Sequence, residues 1–149
     1  MIDATAHETP AIVPCTTDEA LSLLARIHMA ADIRFEAACF SLADDALEGY
    51  NGGQWTAARV NGEAIYVPPG GERVMLNCIG SAHAMIVDRI TAGAAITLWA
   101  LNAVLIGYYH QAPESAVVEA LCDVFYRIRD AVLDKRAGLD VGAILRFID

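Results

Sequence analysis

The chain has 149 residues, which suits one domain with a sizeable core. It is 56% hydrophobic and 19% charged, which excludes a disordered chain. Its net charge of −9, with Lys135 as the only lysine, leaves no basic face for a general phosphate-backbone binder, so direct nucleic-acid binding is excluded.

Residues 1 to about 15 mix Thr, Pro and Ala without periodicity and read as a loose arm, leaving 16–149 as a single domain. Thr16 and Glu19 have capping-box spacing, so a helix starts there and continues through Leu24, Ile27 and Ala31. A second helix is expected from about Ile33 to Leu47, with Phe35, Ala38, Cys39, Leu42 and Ala46 on its apolar face. Asp32 is the candidate cap between the two, unless they form one bent helix. The segment Gly49–Trp55, GYNGGQW, ends the helical region, because its glycines demand turns and add little bulk.

The period then shortens. WTAARV, EAIYV and RVMLNCI read as strands, the first two joined by Asn61-Gly62, a pair that tolerates the positive φ of a two-residue hairpin. PPGG at Pro68–Gly71 separates the third, giving a three-stranded antiparallel meander, and GSAHAM follows as a loop. Ile90–Tyr109 holds no Asp, Glu, Lys or Arg and has the length of a bilayer span. It lacks a basic flank on either side, however, and Thr91, Thr97 and Asn102 interrupt it. The reading is a fully buried central helix, capped by Asp88, in which Asn102 needs partners for its amide. Pro113 and Glu114 open the next helix, whose stripe is Val117, Leu121, Val124, Ile128 and Val132, with Asp123 and Arg127 paired on the solvated side. Gly138 stops it, and DVGAILRFID forms a short last helix. The fold class is therefore α+β: a three-stranded meander with about four to five helices.

Candidate chemistry is sparse. Cys15, Cys39, Cys78 and Cys122 form no CxxC pair, and the N-terminus has no basic start or apolar core of a signal peptide. The expectation is free, mostly buried thiols in a reducing cytoplasm, with no membrane attachment. His7, His28, His83 and His110 have no zinc spacing, and no metal or cofactor is expected. Asp44, Asp45 and Glu48 are candidate metal ligands or ordinary solvated acids. Cys78 and His83 are close enough to suggest a small thiolate hydrolase, but no orienting group or nucleophile motif accompanies them. The acids are scattered, with local clusters only at Asp18-Glu19 and Asp44-Asp45, whereas a DNA mimic needs dense rows of carboxylates.

RFEAACF, YNGGQW, VNGEAIYVPP, ITAGAAITLWALN and AILRFID, in that order, resemble the ArdB/KlcA antirestriction family. The matching positions are Phe35, Glu36, Tyr50, Gly52, Gly53, Trp55, Asn61, Gly62, Tyr66, Pro68, Ala100, Leu101 and Asn102. The chain departs from the family pattern before Arg34 and at Arg89–Ala95. The resemblance implies a protein of plasmids or other mobile elements that relieves host type I restriction-modification of incoming foreign DNA. It implies a non-catalytic inhibitor or indirect modulator, not a DNA mimic, with a host defence protein as its direct or indirect partner. An anti-CRISPR-type inhibitor is the alternative in the same broad role, and the Cys78/His83 hydrolase the alternative from another class. Tyr50, Asn51, Gly52, Gly53 and Trp55 are the candidate protein-contact residues, since aromatics on a glycine turn can anchor an interface. Trp55 has a second reading, as a core plug for which the glycines make room.

Overall fold

A computed structural model describes residues 11–20 and 28–149, with Met29 described through its backbone only. Residues 1–10 of the expected arm and the middle of the first expected helix, including Leu24 and Ile27, lie outside the described residues. At that helix's start Thr16 Oγ1 accepts the Glu19 amide at 3.1 Å, the first half of the capping box.

The α+β class and its three-stranded antiparallel sheet are as expected, but one strand of that sheet comes from elsewhere. Strands β1 (Ile12–Cys15), β2 (Thr56–Val60) and β3 (Glu63–Val67) run in that spatial order. β1 lies in the stretch read as a loose arm and pairs along β2, Ile12 opposite Val60 and Cys15 opposite Ala57. β2 and β3 form the expected hairpin, Thr56 opposite Val67 and Val60 opposite Glu63. Asn61 and Gly62 carry φ of 48° and 87°, the double positive turn that matches strand twist. Asn61 also fixes the hairpin in place: its backbone N–H donates to Ala11 O at 2.7 Å, and its Nδ2 donates to Ala131 O at 2.9 Å.

The segment expected as third strand of the meander, β4 (Arg73–Asn77), belongs to a separate ribbon with β5 (Ala84–Asp88). Part of β5 was expected to be loop. Its alternation is masked in the sequence because Ile86 faces solvent at 61% exposure, so apolar residues occupy both faces. A bridge between Leu47 and Leu76 ties the ribbon to the end of the preceding helix.

That helix, α1 (Met29–Ala46), begins earlier than expected. His28 is its N-cap residue without a side-chain cap bond, and Asp32 sits in the first turn instead of capping it. The expected face is right: Phe35, Cys39, Leu42 and Ala46 are buried.

The central helix, α2 (Arg89–Gln111), is about 35 Å long. Asp88 caps it as expected, accepting the Thr91 amide at 3.0 Å. Thr91 Oγ1 donates to Asp88 and accepts the Asp140 amide at 3.2 Å. Asp140 in turn caps the last helix through Ala143 N. One buried hydroxyl therefore links the starts of two helices.

The helix is buried from Thr91 to Leu98 and again at Ala100, Leu101 and Val104. Burial lapses beyond that, and Asn102 is exposed, so its amide is met by water and not by the buried partners expected. In the outer half, Tyr108 carries the Arg34 guanidinium 4.8 Å above its ring and its hydroxyl lies 3.3 Å from His28 Nδ1. By length and composition α2 passes as a membrane span, with 61% of its most apolar window buried inside the protein. That burial is against β3, α1, and the two C-terminal helices, which accounts for its lack of charge.

Helix α3 (Ala116–Leu133) is capped by Ser115, whose Oγ accepts the Val118 amide at 3.3 Å. Pro113 and Glu114 therefore lie in the turn before the helix and do not open it. The stripe Leu121, Val124, Ile128 and Val132 is buried, with Val117 half-buried, and Asp123 pairs with Arg127 at 3.8 Å on the outside. α3 ends at Leu133, ahead of Gly138; a 3-10 turn at Lys135–Ala137 intervenes, and Gly138, at φ 76°, ends that turn. The last helix, α4 (Val141–Ile148), buries Ala143, Ile144 and Phe147.

Candidate functional site

Ala46 ends α1, and the chain then has to reverse toward β2 within nine residues, Leu47 to Trp55. The Glu48 amide donates to Met75 O at 3.1 Å and the Tyr50 amide to Leu47 O at 3.2 Å, which holds the start of the turn against the ribbon. Gly52 and Gly53 follow with φ of 89° and 117°. A side chain is strained at those angles, and at Gly53 a Cβ would also lie 3.2 Å from Pro69 Cγ. The two glycines therefore fix the path of the turn and bring it close to Pro69.

Trp55 sits at the end of this turn and is buried, with 7% of its surface exposed. Of the two readings of Trp55, the structure places it in the core. Its ring centroid is 5.4 Å from Phe40, 6.2 Å from Tyr50 and 6.2 Å from Tyr66. Its indole Nε1–H donates to the Tyr50 hydroxyl at 3.0 Å, which satisfies the only polar atom of the indole and pins the Tyr50 ring. Tyr66 continues the aromatic chain inward to Phe35, 5.4 Å away. Burial, reinforced by Glu36, raises the Tyr66 phenol far above its ordinary range, so it is neutral at any physiological pH.

Tyr50, Asn51, Gly52, Gly53 and Trp55 all line one concavity of about 430 Å³ between the turn and α1. That volume lies within the range of small-ligand sites. Phe40 and Asp44 of α1 also line it, and were not among the expected contact residues. Their spacing of four residues puts them on one face of α1, but no signal in the sequence joins that face to the turn. Asn51 and Gly53 are exposed, Tyr50 and Gly52 half-buried. The site is thus a shallow cup, with Trp55 at its base and Tyr50 and Phe40 on its sides.

The other candidate groups do not converge. The Cys78 amide donates to His83 O at 2.9 Å, so these residues meet through their backbones. Cys78 is buried and His83 exposed, and among the described residues no hydrogen bond joins the thiol to the imidazole. A nucleophile and its base are marked by that hydrogen bond, which this pair does not make here. Burial pushes the Cys39 thiol far up, with Glu36 adding to the shift, so it is a protonated core group. All four cysteines are free. Among the described residues no three His, Cys, Asp or Glu side chains gather in a metal-holding arrangement. Glu48, one of the candidate ligands, accepts from Asn77 Nδ2 at 3.2 Å instead.

No protein-family model and no curated protein matches the sequence. A solved structure matches the fold. Its description states that the KlcA and ArdB proteins show a novel fold and antirestriction activity against type I DNA restriction systems in vivo but not in vitro. It superposes with a TM-score of 0.71 at 22% identity, covering 96% of this chain and 98% of that one. The resemblance carried by the sequence motifs thus holds for the fold over nearly the whole length: this chain is folded like KlcA and ArdB.

Proposed function

We propose that this protein is an antirestriction protein, relieving type I restriction-modification of incoming foreign DNA. The observation that carries the reading is the likeness of fold to KlcA and ArdB across 96% of the chain. The ordered motifs, from the Tyr50–Trp55 turn to Ala100-Leu101-Asn102, support it independently. In this reading the protein works in the cytoplasm, is carried by a mobile element, and acts without catalysis.

It acts by engaging a protein of the defence system, directly or through an intermediary, and not by imitating DNA. Several of its acids are held in local ion pairs, Glu19 with Arg59, Asp123 with Arg127 and Asp134 with Arg136. Phosphate mimicry requires uncompensated carboxylates in rows. The contact surface is the cup formed by Tyr50, Asn51, Gly52, Gly53 and Trp55.

The test is made in cells, where the activity described for KlcA and ArdB was found. A strain with a type I restriction system is challenged with unmodified phage, with and without expression of the protein. Plating efficiency rises with expression if the reading is right. Unchanged plating at good soluble expression rejects it.

A further inference from the structure

The lining of the cup has a chemistry of its own. Its aromatic wall is pre-set: Trp55 is buried, Tyr50 is held to it by a 3.0 Å hydrogen bond, and Phe40 leans on the same indole. Asp44 stands at the rim, one helical turn beyond Phe40. It has no hydrogen bond or ion pair among the described residues, and no Lys, Arg or His lines the cup. Asp45 and Glu48, both exposed, extend the negative end of α1.

Aromatic faces attract a cation through the ring quadrupole, and a carboxylate beside them supplies the ionic partner. An anion would meet Asp44 with no basic side chain to offset it. Between the two protein cations, a guanidinium is the better match, because it is planar, stacks on rings and is weakly hydrated, whereas an ammonium holds its water tightly. Gly52 and Gly53 add no side chain to the lining.

We propose that this cup receives an arginine side chain from the protein partner, its guanidinium stacked on the Phe40–Trp55–Tyr50 wall and paired with Asp44. The proposal rests on the reading of the cup as a contact surface and names the chemistry of what enters it. The net charge of −9 favours the same kind of partner surface, a basic one, by steering it toward the acidic end of α1.

The test uses the isotopically labelled full-length protein and N-acetyl-arginine amide as the probe, followed by nuclear magnetic resonance. Lysine, leucine and glutamate amides serve as comparisons. Arginine amide shifts the Trp55 indole N–H and the Gly52 and Gly53 amides, while the second indole, Trp99, stays in place. Lysine amide shifts them less, and the leucine and glutamate amides leave them unmoved. Asp44→Asn weakens the arginine titration about fivefold, and added salt weakens it in the same direction. Phe40→Leu keeps apolar bulk, removes the ring, and weakens it about threefold. An arginine titration that leaves these signals still, a leucine titration that matches it, or an Asp44→Asn variant that binds as before overturns the proposal.

The phage assay separates the two readings. If the wild-type protein relieves restriction and Asp44→Asn relieves it equally, the arginine cup is wrong while the antirestriction reading stands. If arginine amide binds as described yet the wild type gives no relief, the cup stands and the antirestriction reading falls.

Discussion

Gly93 of α2 faces Tyr66 of β3 so closely that a Cβ on Gly93 would lie 2.4 Å from the Tyr66 carbonyl oxygen. One turn further along the same helix face, Thr97 Oγ1 accepts the Tyr66 amide at 3.0 Å. The helix and the sheet therefore meet backbone to backbone, with one small residue allowing the approach and one hydroxyl satisfying a buried N–H. Gly93→Ala has no flexible neighbour to push aside, and it lowers unfolding stability by about 3 kcal/mol in a urea titration. Thr97→Val, which keeps the shape and removes the acceptor, costs roughly 1–3 kcal/mol. Thr97→Ser recovers most of that loss.

The Asn61 side chain ties the β2–β3 hairpin to α3 across 70 residues of sequence. Asn61→Gly leaves the positive φ of the turn easy to adopt but removes the bond to Ala131 O. The expected loss is about 1 kcal/mol, seen as a lower thermal midpoint with an unchanged circular dichroism spectrum. Asn61→Ala adds the strain of positive φ and costs more than the glycine variant.

The turn residues divide by what they touch. Trp55→Ala empties a buried aromatic site and destabilises by about 3–5 kcal/mol, so its effect on restriction relief mixes loss of fold with loss of contact. Asn51 is exposed, and Asn51→Ala changes stability by no more than about 0.5 kcal/mol. If the cup is the contact surface, Asn51→Ala lowers phage plating relief at an unchanged thermal midpoint. Full relief in that variant removes Asn51 from the surface.

Two aspartates respond oppositely to pH. Hydrogen bonds from the Arg136 side chain and backbone hold the Asp134 carboxyl at about 2, below its ordinary 3.8. Its stabilising effect is present above the ordinary value and is lost as pH falls toward 2. Asp32 is shifted upward by burial, and its Oδ1 has no hydrogen-bond partner among the described residues. The folded state therefore binds that proton more tightly than the unfolded chain, and stability declines as pH rises through the raised value. Urea midpoints against pH check both: Asp134→Asn flattens the acid limb, and Asp32→Asn removes the decline at higher pH.

Local features of the fold were legible because their causes are local. Asn61-Gly62 makes its hairpin from backbone preferences alone. Asp88 caps α2, and the stripe Leu121–Val132 turns toward the core, each within a few residues of sequence. The members of the cup were half legible. Tyr50 to Trp55 are contiguous and marked by glycines, whereas Phe40 and Asp44 join them only because α1 folds back over the turn. The choice between core and surface for Trp55 was not local either, since burial depends on what covers the indole, here Phe40 and Tyr66.

Strand pairing was the main thing left to tertiary structure. A strand's alternation fixes which face it buries, but not which edge it joins, because backbone hydrogen bonds carry no sequence label. Thus β1 took the free edge of β2, and β4 paired with β5 and not with β3. The fate of α2 divides along its own length. The sequence determined that Ile90–Tyr109 is an uncharged helix, slim enough at Gly93 and its alanines to approach a sheet. Only the packing of β3, α1, α3 and α4 decided where its burial stops, leaving Asn102 in solvent.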